Sequence, residues 1–95
     1  MPKAIFNGTV IAESDQTILL EGNHYFPPNT IKHQYFMPNS RTTICPWKGM
    51  ANYYDISVGD QSSTAAAWYY AAPKTAAKEI EGHIAFYSNK VKIEE

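Results

Sequence analysis

The run Thr43-Ile44-Cys45-Pro46-Trp47-Lys48-Gly49 holds the only cysteine of the chain, one of its two tryptophans and a lysine. A thiol beside an ammonium is the pairing that lowers a cysteine pKa and readies a thiolate nucleophile, with His24, His33 or His83 as a candidate base. Ile44 and Pro46 on either side argue the other way, because free cysteine is among the most buried residue types and packs as a small hydrophobe. A redox dithiol is excluded, since no second cysteine exists. Glu21, Tyr25, Trp68 and Tyr70 join Cys45 and Lys48 in a second constellation, a few polar groups among aromatics, which is the composition of a ligand pocket. Within it, Glu21 and Lys48 read either as an acid–base pair or as a structural ion pair that closes the sheet. Cys45, Lys48 and Glu21 are therefore the catalytic candidates, and all six residues are candidates for binding a small molecule.

Other chemistries lack their residues. Cys45 and the three histidines are scattered, without the close pairs that preorganise a tetrahedral metal site, so no metal or other cofactor is expected. Asp15, Asp55 and Asp60 lie far apart in sequence and no glycine-rich loop opens a helix, which leaves nucleotidyl transfer without a magnesium site or a phosphate cradle. Eight basic residues against nine acidic give a net charge of −1, too little for a nucleic-acid groove or a polybasic membrane patch. No apolar stretch is long enough to span a bilayer. A lone cysteine and an N-terminus without a charged, then apolar leader point to a reducing cytoplasm. Trp47 or an exposed edge strand offers a route to a homodimer.

The elements that must position these groups are strands. At 95 residues the chain has room for one core and is read as a single domain, 1–95. Seven tyrosines suit pleated, half-buried surfaces. Apolar residues alternate in short blocks broken by turn residues, as at Asn7-Gly8, a hairpin signal between strands 4–6 and 9–13. Thr17 to Glu21 reads as a strand with Ile18 and Leu20 on one face and Glu21 on the other, followed by a Gly22-Asn23 turn and His24 to Phe26. A turn or helical piece is expected near 29–32. Gln34 to Met37 and Thr42 to Cys45 read as two strands separated by Pro38-Asn39-Ser40, with Pro46 bending the second or placing it at an edge. From Ala51 to Val58 the alternation is clearest, with Tyr54, Ile56 and Val58 opposite Tyr53, Asp55 and Ser57. After a hairpin tip at 59–64, Trp68 and Tyr70 share a face, opposite Ala67 and Tyr69, and that face is expected to point inward. Pro73 to Glu81 is the one helical pattern, and without an acidic first turn it is expected to be a turn or two. Strands at 83–87 and 91–93 follow. The reading is an all-β, mainly antiparallel domain with one or two short helical turns.

Several of these segments, taken in order, carry a resemblance over nearly the whole chain. Ala12-Glu13-Ser14, Glu21 through Pro27, Thr43 through Gly49, Tyr53-Tyr54, Ala67 through Tyr70, Pro73 and Gly82 through Tyr87 resemble the domain of unknown function 427 family. The Cys-Pro-Trp-Lys-Gly and Trp-Tyr-Tyr runs are its specific parts. The resemblance implies an antiparallel fold of the β-tent type, in whose wider relatives an aromatic-walled pocket takes small cyclic or planar ligands. The family also carries a nucleotidyltransferase-like label, to which the residues above lend nothing.

Overall fold

A computed structural model describes Met1–Glu95. Nine strands, all paired antiparallel, form three sheets. Strands β1 (Lys3–Phe6) and β2 (Thr9–Glu13) make the Asn7-Gly8 hairpin, and β9 (Lys92–Glu94) pairs with the other edge of β1. Strands β3 (Ile18–Leu20) and β4 (Asn23–Tyr25) form an isolated two-stranded hairpin. The largest sheet runs in the order β5 (Phe36–Cys45), β6 (Gly49–Val58), β7 (Gln61–Tyr69), β8 (Ile84–Phe86). The only helical pieces are 3-10 turns at Pro28–Thr30, His33–Tyr35 and Thr75–Ile80.

Because side chains alternate across a strand, the four-stranded sheet presents two apolar faces, and each is covered. One face packs Phe36, Ile56, Ile84 and Phe86 against Ala4, Ile11 and Ala12 of the three-stranded sheet, with Tyr54 and Tyr69 at its margin. The other packs Tyr53, Trp68, Tyr70 and Ala85 against Tyr25, Ala77 and Ile80, with Ile18 and Leu20 adjoining. The expected sidedness of Tyr54, Ile56 and Val58 and of Trp68 and Tyr70 therefore holds. Both sets point inward, toward different cores.

Three local readings need correction. Residues 36–45 form one continuous strand rather than two, because Ser40 and Arg41 are accommodated as a bulge opposite β6, where Arg41 N–H donates to Asn39 Oδ1. Pro38 is tolerated since β5 is an edge strand. Strand β7 begins at Gln61, so the hairpin tip is only Gly59-Asp60, and a second bulge at Ala65 (φ +50°) takes up the extra residues opposite Asp55. Glu21 is not the last residue of a strand. Glu21 (φ +53°) and Gly22 (φ +80°) are the two central residues of the β3–β4 turn, and both positive φ values are what a tight hairpin of right-handed twist demands. The 75–80 segment stays a 3-10 turn broken at Ala77, with no acidic residue in its first turn and no side-chain cap.

Candidate functional site

Lys48 sits at the tip of the β5–β6 hairpin, in the Pro46-Trp47-Lys48 loop between the paired Cys45 and Gly49. Gly49 has φ +113°, a conformation that disfavours any side chain, and its missing Cβ faces the backbone of 72–74. That segment straps the loop down: Lys74 N–H donates to the Lys48 carbonyl at 2.9 Å and Lys74 Nζ to the Pro46 carbonyl at 2.6 Å. The Lys48 side chain is thereby turned inward, and the residue is only 7% exposed.

Its ammonium lies between two rings, 5.4 Å from the centre of Trp47 and 5.5 Å from that of Tyr70, and donates to Glu21 Oε1. A cation held this way gains from the negative faces of the rings while remaining largely desolvated. Burial works against the charge of Lys48, but the Glu21 hydrogen bond and the neighbouring Tyr25 and Tyr70 outweigh it and raise its pKa above the ordinary 10.5. The same hydrogen bond is the leading cause that lowers the Glu21 carboxyl below 4.5. Burial raises the Tyr70 hydroxyl above its usual value, partly opposed by Lys48.

Behind the ion pair the aromatic residues meet one another. Trp68 Nε1 donates to Tyr25 Oη at 3.2 Å, and the two rings stand edge to face with centres 6.2 Å apart. Tyr25, Trp68 and Tyr70 are all buried, and Cys45, half buried, packs on the same cluster. The fold thus gathers Glu21, Tyr25, Cys45, Lys48, Trp68 and Tyr70 around one hairpin tip and one turn. What they form is a closed cluster, whereas a cleft opens elsewhere, on the far face of the β3–β4 hairpin.

Two members of this surface were not singled out by sequence reasoning. Trp47 belongs to the Cys45–Gly49 run but not to the six candidate binding residues, yet its ring walls the ammonium. Tyr87 lies 4.6 Å from the Trp68 ring, stacks parallel to Tyr53 and reaches its hydroxyl. Burial and that hydroxyl push Tyr87 up to about 12. The signal was present, since Tyr87 follows Ala85, the register partner of Trp68, by one strand period.

The three histidines turn elsewhere: His24 toward Thr17, His33 toward the Pro28 carbonyl and His83 toward the Glu81 carbonyl. Asp55 is occupied structurally, its Oδ1 accepting from Ala65 N–H at 2.7 Å and from Asn39 Nδ2 at 2.8 Å. No three His, Cys, Asp or Glu side chains converge in an arrangement that could hold a metal ion, and no helix is long and apolar enough to cross a membrane.

These features define a small antiparallel all-β protein whose sheet carries a polar pair set in an aromatic cluster. The chain belongs to the family described as Domain of unknown function (DUF427), whose model matches residues 2–95. A comparison with curated proteins returned no match.

Proposed function

We propose that the protein binds a small planar molecule through an acidic group that takes the place of the Glu21 carboxylate on Lys48. One observation carries this reading. A nearly buried ammonium, walled by Trp47 and Tyr70, has as its one ion-pair partner a carboxylate that is 48% exposed and sits on a two-residue turn. Glu21 occupies the left-handed conformation that the two-residue turn demands, at a free-energy cost to a non-glycine residue. Ile18, Leu20 and Tyr25 anchor the hairpin in the aromatic core, so only its two-residue tip, Glu21-Gly22, has to move. Trp47 is 39% exposed and offers the ring of an incoming ligand a stacking face. An acidic group arriving at Lys48 therefore meets a desolvated charge, oriented aromatic walls and a competing carboxylate that water can receive.

The nucleotidyl-transfer reading suggested by the family's label finds no support in the geometry, because Asp55 is spent on a β-bulge and no carboxylate cluster exists to hold magnesium. A thiolate mechanism at Cys45 lacks a histidine beside it.

The test is a thermal-shift series with benzoate and phenyl phosphate. Both should raise the melting temperature of the protein as their concentration rises, since a ligand that binds only the native state stabilises it by mass action. Benzyl alcohol, matched in size but uncharged, should not, and Lys48→Met should abolish the response. Equal shifts with all three compounds, or a response that survives in Lys48→Met, would contradict the proposal.

A further inference from the structure

The β3–β4 hairpin has a second face. Ile18, Leu20 and Tyr25 turn toward the aromatic core, so their neighbours Leu19 and His24, a cross-strand pair, turn the other way. There they line a cleft of about 350 Å³ with Gly22, Asn23, Phe86 and Ser88 and with Ile93 and Glu95 of the C-terminal segment. The cleft exists because two sheets fail to join. Strand β9 pairs only with β1, and β3–β4 is a sheet of its own, leaving a seam between them over the end of β8.

The lining has a definite chemistry. Phe86, 2% exposed, and Ile93 supply an apolar floor, and Leu19 stands 65% exposed at the side, apolar surface that nothing in the fold covers. The polar groups gather at one end. The His24 ring is held through Nδ1, 2.9 Å from Thr17 Oγ1, with its side chain 13% exposed, and its Nε2 lies 3.5 Å from Oε2 of the exposed Glu95. Glu95 supplies a carboxylate and Ser88 a hydroxyl, and no lysine or arginine lines the space. An anion would meet the Glu95 carboxylate with no lysine or arginine to offset it. A cation or a strong donor would meet the Glu95 carboxylate at that end.

We propose that this cleft is a second binding site, for a small molecule that combines an aromatic or branched apolar body with a protonated amine or amidine. The body covers Leu19 and lies on Phe86 and Ile93, and the charged end donates to Glu95. The volume is at the lower end of the roughly 300–1,000 Å³ of small-molecule sites, which limits the ligand to about one ring with its substituent. The inference stands apart from the reading of Lys48, because it concerns the opposite face of the hairpin and the opposite charge.

Benzamidine is the probe, with benzoate as its charge-reversed counterpart, each titrated into isotope-labelled protein and followed by NMR. Benzamidine should shift the Asn23, Ser88 and Ile93 amides and the His24 ring saturably, and benzoate should leave Ser88 and Ile93 unmoved. Glu95→Gln should weaken benzamidine about threefold, the scale of an exposed ion pair. Leu19→Ala, at an exposed position on which neither core depends, should weaken it as well. The proposal is overturned if benzamidine produces no saturable shift at these residues, if it shifts only Trp47 and Lys48, or if both variants bind it as tightly as the parent. None of these results bears on whether benzoate binds at Lys48, so the two readings fail separately.

Discussion

Lys48 shows how a hairpin tip can hold a charge in an aromatic wall, and the pH dependence of stability follows from its partners. The Glu21 carboxyl is lowered in the fold, so its contribution is complete above the ordinary value of 4.5 and is lost as the pH falls through the lowered one. Lys48 is raised, so its contribution is complete below 10.5 and is lost as the pH rises through the raised value. Tyr87, raised from 10.0 to about 12, adds a term that is full below the first figure and gone above the second. Urea midpoints measured against pH should form a plateau between the acid and alkaline limbs, and Tyr87→Phe should flatten the alkaline limb. An alkaline limb unchanged in that variant would show that the phenol does not carry it. Trp68 is the packing counterpart: Trp68→Ala should destabilise the protein by about 3–5 kcal/mol, as large aromatic truncations in cores do. An unaltered urea midpoint would contradict its burial.

At the scale of elements, the sequence was readable where a strand kept strict alternation and unreadable where a bulge broke it. Trp68 and Tyr70 could be assigned to one buried face because nothing interrupts β7 between Ala67 and Tyr69. The Ala65 bulge was invisible, since an alanine with φ +50° leaves no mark in the sequence, and its hydrogen-bond partner, Asp55, lies on the neighbouring strand. The Ser40-Arg41 bulge was mistaken for a break because Pro38-Asn39-Ser40 is also turn chemistry, and only the edge position of β5 resolves the two. The meeting of Glu21 with Lys48 was legible from the proline before the loop and from the residue types, but for a partly wrong reason. Glu21 reaches Lys48 from a turn, not from the outward face of a strand. Asp55→Ala tests the bulge: it strips an acceptor from both Ala65 N–H and Asn39 Nδ2 and should cost about 1–3 kcal/mol, with amide exchange quickening first around Ala65. Unchanged stability and exchange would mean that the bulge holds itself.

The whole molecule is a sheet with a core on each face, and its smallest element, the β3–β4 hairpin, sits between the Lys48 cluster and the cleft at Phe86. The larger core joins the two big sheets and touches the binding proposals only at the cleft, through Phe86 and Ile93. The aromatic core is closed by the hairpin, and the Glu21–Lys48 pair fastens it at the tip. If that fastening is a place held for a ligand's acidic group, removing the competing carboxylate must favour the ligand. The most direct measurement is the benzoate affinity of the parent, Glu21→Gln and Lys48→Met by NMR titration of the Trp47 indole and the Lys48 amide. Glu21→Gln should bind benzoate several-fold more tightly than the parent while Lys48→Met does not bind it. An affinity in Glu21→Gln that is equal or weaker, or benzoate binding retained in Lys48→Met, would contradict the account.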